Sequence, residues 1–183
     1  MIGRVRSVFR TLRDAVSRSS DPIGYARGLG VKIGRNCVIA GRVTWGSEPY
    51  LILIGDHVGI ADEVVFVTHD GSVIIFRDRH PEATVIKPIT VEDNCFIGIR
   101  AIILPGVTIG RDSIVGAGSL VTRDVPRGSV VAGVPARVLR SSAEYAETVL
   151  PEALMTKGMR PEELRRYLTE HFRDWKHRNQ GKR

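Results

Sequence analysis

The sequence predicts an all-β solenoid, short parallel strands wound into stacked coils, with a helical segment before it and a helical appendage after it. Three observations carry that prediction. Every sixth residue from Val91 to Val121 is large and aliphatic: Val91, Ile97, Ile103, Ile109, Val115 and Val121. Four residues after each comes a smaller one (Cys95, Ala101, Val107, Ser113, Ser119, Val125), and glycine follows the aliphatic residue at Gly98, Gly110 and Gly116. A helix repeats near 3.6 residues and a flat strand every 2, so a period of six fits neither. It fits a short strand and a tight corner, repeated, each coil burying its apolar side only against its neighbours. Composition is the third sign. The chain is 43% hydrophobic but only 6% aromatic, a supply for a core of stacked Ile and Val rather than of interlocking rings.

In chain order, residues 1–20 set Val5, Phe9, Leu12 and Val16 three or four apart, with Arg4, Arg6, Arg10, Arg13 and Arg18 mostly between them. That spacing predicts a basic amphipathic helix ending at Asp21-Pro22. Packing on its own subunit or a neighbour is the first reading of its apolar face, and an anionic membrane surface the alternative. The repeat begins at Ile33 and continues through Ile39 and Trp45. It slips by three residues across Glu48-Pro49-Tyr50 and resumes at Ile54, Ile60 and Phe66. Residues 70–88 then abandon the period altogether, opening on the turn dipeptide Asp70-Gly71. Loops interrupting a rigid scaffold often carry function, and this one leaves the repeat beside Thr68-His69. The last run of coils reaches Val125, and the segment SVVAGVPARVLR is expected to leave them. A short helix is expected from Ala143 to Leu150 and a firmer one from Pro161 to Trp175, with Pro161 in its first turn. The expected division is therefore residues 1–30 (helix and linker), 31–140 (the β-helix with its loop 70–88) and 141–183 (helical appendage).

No apolar run approaches the roughly 18 residues of a membrane span. Lacking the apolar core of a signal peptide, the chain is expected to be cytoplasmic, with the inner face of the membrane as the alternative address for residues 1–20. Cys37 and Cys95 both fall in the small inward slot, which reads as packing rather than as a disulfide or a nucleophile. The net charge of +7 points to acidic partners, among them nucleic acid, anionic lipid or a phosphorylated small molecule.

Residues 89–140, ITVEDNCFIGIRAIILPGVTIGRDSIVGAGSLVTRDVPRGSVVAGVPARVLR, contain P-G-V-T-I-G, G-A-G-S-x-V-T and G-V-P-A-R in that order. The stretch resembles the hexapeptide-repeat acyltransferases, in the branch of the galactoside, maltose and xenobiotic O-acetyltransferases and of acetyltransferases from surface-polysaccharide pathways. The similarity extends more loosely back to about Ile33. It implies a left-handed parallel β-helix, although right-handed crossovers are the general rule for parallel strands. It further implies a homotrimer with clefts between neighbouring subunits, acetyl-coenzyme A as donor without a metal, and direct transfer to a sugar or polysaccharide-precursor hydroxyl.

Such a transfer needs a base for the hydroxyl proton, donors for the developing oxyanion and a grip on an acidic coenzyme. The resemblance makes His69, in V-T-H-D-G, the base. His57, His80, His171 and His177 read as solvated. Asp70 is better explained by turn formation than by a bond to its neighbour. Trp45, Ser47 and Glu48, one coil earlier, are where the family contributes acceptor contacts. Arg123, Arg137 and Arg140 match its contacts to the coenzyme phosphates, for which a planar guanidinium fork is suited. Main-chain groups near Ile99, Ala117 and Thr122 match those along the pantetheine arm; many relatives have a small polar residue where this chain has Ile99. A close variant is N-acetylation of a nucleotide-linked amino sugar. Two further alternatives are a γ-type carbonic anhydrase, which needs three converging histidines, and a non-catalytic trimer. Nucleic acid is not expected as a partner, because no aromatic side chains interleave with basic ones on the coils.

Overall fold

The computed structural model describes residues 20–173. Except for Ser20, the basic helix expected over residues 1–20 lies outside them; the helix expected to reach Trp175 ends instead at His171. The chain divides after Glu147 into two compact units.

The first described element was not anticipated. Asp21 accepts a hydrogen bond from the Gly24 N–H (2.8 Å), and Pro22 occupies the first turn of helix α1, Pro22–Gly28. The Asp-Pro pair therefore starts a helix, because a carboxylate caps free N–H groups and proline suits the first turn.

Beyond α1 the chain winds through three sheets, whose strands as far as Val121 are two or three residues long. Gly59–Ile60 lies in one, Val65–Phe66 in the second and Ile89–Val91 in the third, and Phe96–Ile97 returns to the first. Every pairing between successive coils is parallel. Val91 pairs with Ile109, Ile97 with Val115 and Ile103 with Val121, each eighteen residues on, so three hexads make one coil. The earlier pairs are longer by the breaks read in the sequence. Ile33 pairs with Ile54 across the three-residue slip, and Ile54 with Val91 across the loop. Neither break disturbs the stack.

The aliphatic series consequently forms columns inside the coil. Ile54, Val91 and Ile109 make one, Ile60, Ile97 and Val115 the second, and Phe66, Ile103 and Val121 the third, all at most 2% exposed. Trp45 tops the third column, its ring stacked on Phe66 at 5.1 Å and 3°. The small slot is filled likewise: Cys95 is buried, and its thiol donates to the Gly110 carbonyl at 3.2 Å. Burial pushes the Cys95 thiol up from its ordinary range, which keeps it protonated and inert. Glycine after the aliphatic residue has a steric cause. A Cβ on Gly98 would meet the Ala117 nitrogen at 2.6 Å and the Val115 carbonyl at 2.8 Å, in the next coil.

Two features depart from an all-parallel coil. The chain does not leave the stack at Ser129: Val130 and Val131 pair in parallel with Ile114 and Val115, and Ser129, Val130 and Val131 are all buried. Only after Gly133 does it turn back, through the cis Val134–Pro135 bond, as the antiparallel strand Ala136–Ser141. Ser141 leads into helix α2, Ser142–Val149, where Glu144 accepts from the Ser141 N–H at 2.7 Å. The second departure is a short antiparallel pair at the loop, described below.

The second unit, from Thr148, carries helix α3, Pro161–His171, with Glu162 and Glu163 in its first turn. None of its described residues is fully buried.

Two stability measurements check this packing by urea unfolding. Ile103→Ala should cost about 2–5 kcal/mol, because the column above and below cannot collapse into the gap. Gly98→Ala should also destabilise, whereas Gly28→Ala, with nothing within 4 Å of the added carbon, should leave stability unchanged or slightly raise it.

Candidate active site

Both irregularities of the repeat fall at the same corner of the coil, in successive turns. The slip follows Trp45 and the loop follows Phe66, and these two rings are stacked partners. The slip is one 3-10 turn, Pro49–Leu51, flanked by Glu48. Before it, Gly46 takes a left-handed φ of 68°, and a Cβ there would strike the Thr68 hydroxyl at 2.6 Å. Glycine at this point lets Ser47 and Glu48 fold down onto the coil that bears Thr68 and His69.

The loop closes on His69 itself. His69 pairs antiparallel with Ile86 and Asp70 with Val85, while the Lys87 N–H donates to the Thr68 carbonyl at 2.9 Å. Asp70 is committed to the loop: it caps the 3-10 segment Gly71–Phe76 by accepting from the Ser72 N–H at 2.9 Å. Hydrogen bonding from Ser72 holds its carboxyl below the usual carboxylate range. Turn formation is thus what the Asp70 side chain does.

Around the imidazole the chain assembles a compact polar group. Ser47 Oγ lies 3.2 Å from His69 Nδ1 and Glu48 Oε2 lies 3.7 Å from it. The fully buried Thr68 hydroxyl donates to Glu48 Oε2 at 2.6 Å and accepts from the Glu48 N–H at 3.2 Å. The His69 side chain is 46% exposed and that of Glu48 16%, so the imidazole is open to a ligand while the carboxylate is largely enclosed.

His69 is shared by two clefts. One is lined by Ser47, Glu48, Val73, Arg77, Thr84 and Ile86, with His69 at its edge. Its neighbour runs from His69 past Val67, Leu104, Pro105 and Thr122, with Lys87 to one side. Val67, Leu104 and Thr122 follow the stacked Phe66, Ile103 and Val121 directly, so they form a floor running along three coils.

Of the residues nominated for the coenzyme, only Thr122 shares a cleft with His69, and Arg123 follows it on the surface. Ile99 and Ala117 stack at a different corner, where the Gly118 N–H donates to the Ile99 carbonyl at 2.8 Å. Arg137 pairs with Ala132 in the terminal hairpin, and the Arg140 guanidinium lies 5.0 Å over the Tyr145 ring. Ser47 and Glu48 are brought to His69, but Trp45 is not. At 5% exposure its ring belongs to the core column, beneath the polar group rather than in the cleft. His57 sits at a corner, 3.1 Å from the Asn36 amide, and His80 in the loop. Among the described residues no three His, Cys, Asp or Glu side chains converge as a metal site would require. Nor is any described helix long and apolar enough to cross a membrane.

Sequence reasoning missed Thr68, Arg77, Thr84 and Lys87. The signal for Thr68 was its place directly before His69, opposite the slip; the other three lie in the loop, whose path no periodicity reveals.

Comparison with known proteins places this geometry in a lineage. Residues 88–123 match the family described as the hexapeptide repeat of succinyl-transferase. Protein CapG of Staphylococcus aureus is 47% identical over 150 residues, covering 81% of this chain and 87% of that one. Galactoside O-acetyltransferase of Escherichia coli K12 is 40% identical over 65% of this chain, a match spanning only 58% of the relative. Among solved structures, a hexapeptide-repeat acetyltransferase from Vibrio cholerae superposes with a TM-score of 0.56 at 31% identity, over 76% of this chain and 92% of its own. A galactoside acetyltransferase in complex with coenzyme A gives 0.54 at 29% identity, over 68% and 71%. A chain built of eighteen-residue coils, with similarity of this extent, belongs to the hexapeptide-repeat acetyltransferases.

Proposed function

We propose that this protein is an acetyl-coenzyme A-dependent O-acetyltransferase that acetylates a hydroxyl of a sugar or surface-polysaccharide precursor, with His69 as the general base. The observation that carries this reading is the place of His69 where two clefts meet, so that one side chain can reach a ligand in each. One offers a hydroxyl, a carboxylate and a guanidinium from Ser47, Glu48 and Arg77, groups suited to a polyhydroxylated acceptor. The other joins an apolar floor of Val67, Leu104 and Pro105 to polar groups from Asp70, Lys87 and Thr122, which suits a pantetheine arm of alternating methylenes and amides. The coenzyme A and acetyl-coenzyme A complexes of the galactoside and Vibrio enzymes support the choice of donor. The name of the Escherichia coli relative supports a saccharide acceptor.

In this reading the coil is left-handed and the working unit a homotrimer. A trimer explains why the nominated coenzyme residues divide between two corners of one chain. The corner with Ile99 and Ala117, topped by Arg137 and Arg140, would face the His69 corner of a neighbouring subunit. The main-chain groups of the first would hold the amides of the pantetheine arm, and the arginines, with Arg123, the phosphates. Trp45 serves the acceptor side only indirectly, by fixing the coil under Ser47 and Glu48.

The chemistry asked of His69 is to take one proton and pass it on to the leaving thiolate. Its free ring nitrogen takes the acceptor's hydroxyl proton as that oxygen bonds to the acetyl carbonyl carbon. The carbon–sulfur bond then breaks and the thiolate leaves, taking up the proton.

The test is thiol release from acetyl-coenzyme A against free sugars, amino sugars, nucleotide sugars and lipid-linked saccharides. Release dependent on a hydroxyl acceptor, with an ester product and a loss of about 10²–10⁴-fold in His69→Ala, is the expected result. An amide product formed only with amino sugars would move the reading to N-acetylation. Absence of coenzyme binding would overturn it.

A further inference from the structure

Arg77 stands apart from the arginines at the corners of the coil. Arg35, Arg42, Arg100, Arg111 and Arg127 each pair with an Asp or Glu carboxylate at 3.7 Å or closer. Arg77 makes no ion pair among the described residues, although Asp78 and Glu82 share its loop. It lines the cleft that holds Ser47, Glu48 and His69. Its backbone is set there by the turn: the Arg77 N–H donates to the Ile74 carbonyl at 3.3 Å, closing the 3-10 segment that Asp70 caps.

Both carboxylates of this cleft are already engaged. Glu48 Oε2 accepts from the Thr68 hydroxyl at 2.6 Å, and its side chain is largely enclosed. Asp70 accepts from the Ser72 N–H at 2.9 Å. That bond, with a smaller contribution from the charge of Lys87, holds the Asp70 carboxyl below its usual range. The guanidinium is therefore the permanent charge of the cleft that is left for a ligand. Uncharged donors such as Ser47 and Thr84 suffice for a neutral sugar. A guanidinium stays protonated, offers a planar fork of donors, and gains most from an anion. Val73 and Ile86 line the same cleft and exclude some of the water that would screen such a pair.

From this arrangement we infer that the acceptor carries an anionic group, a carboxylate or a phosphate, and that Arg77 binds it and selects charged saccharides over neutral ones. The inference rests on the reading of this cleft as the acceptor's.

Matched acceptors test it with the full-length protein. Glucose and galactose are each compared with their uronate and their 1-phosphate, in acetyl transfer and in calorimetric binding without coenzyme. A charged member should exceed its parent sugar by about 10–100-fold in affinity and in kcat/KM at low salt, and the advantage should shrink as salt is added. Preference for either anion supports the inference, and the larger one names the group. Arg77→Gln should remove most of the advantage through the acceptor KM, and Arg77→Lys, which keeps the charge but not the fork, should retain part of it. Equal affinity for charged and parent sugars, or an Arg77→Gln loss that falls on the KM of acetyl-coenzyme A, would overturn the inference. Arg77-dependent binding of a charged sugar without acetyl transfer would support it while striking the proposed reaction. Acetylation of the neutral sugars alone would do the reverse.

Discussion

Stacking in register is the constraint on which the rest of this structure depends. A two-residue strand has too few hydrogen bonds to stand alone, so each rung exists only because the rung eighteen residues away presents the same aliphatic residue at the same point. The consequence is a scaffold that tolerates additions at its corners but not along its faces. Gly98 and Gly110 show how little room the faces leave: a Cβ at either would lie 2.6 Å from a backbone nitrogen of the next coil. A corner, by contrast, can pay out three residues or nineteen and rejoin the stack in phase, as the pairing of Ile33 with Ile54 and of Ile54 with Val91 shows.

The candidate site is gathered where the chain uses that freedom. Two insertions at one corner, in consecutive coils, place a hydroxyl and a carboxylate from the first against an imidazole from the second. Neither insertion suffices. The 3-10 turn at Pro49–Leu51 supplies Glu48 but no imidazole, and the loop at 70–88 supplies walls for His69 but nothing to hold its ring. The stacked rings of Trp45 and Phe66 lie at the point where the two insertions depart, so core packing fixes the spacing of the polar group above it. Rigid support of this kind is what the general-base role proposed for His69 would ask of a scaffold.

Much of this was legible in the residues. The period of six gave the columns, the small slot and both breaks, and the family resemblance singled out the histidine at the edge of the larger break, which the structure places at the mouth of two clefts. The exit from the coil was misjudged because Val131 pairs with Val115 only sixteen residues away; the corner between Val121 and Val125 is two residues shorter than the rest, for Val121 pairs eighteen residues back and Val125 already sixteen. Trp45 was nominated for the acceptor although its position in the bulky inward slot already argued for the core, where it lies. The bond from Thr68 to Glu48 was beyond the sequence. It depends on which way two side chains turn at a corner, and a pattern of hydrophobicity carries no information about that. The division of the coenzyme candidates between two corners was hidden for a similar reason, since residues close in the motif lie on different edges once the chain is wound.

The most direct measurement is a crystal structure with coenzyme A and a saccharide acceptor bound together. The account predicts the coenzyme's thiol end at the corner of Val67, Leu104 and Thr122. It also predicts an acceptor hydroxyl within hydrogen-bond reach of His69 Nε2, roughly 2.6–3.2 Å. A thiol end seated at a corner without His69, or an acceptor that leaves the imidazole untouched, would contradict it.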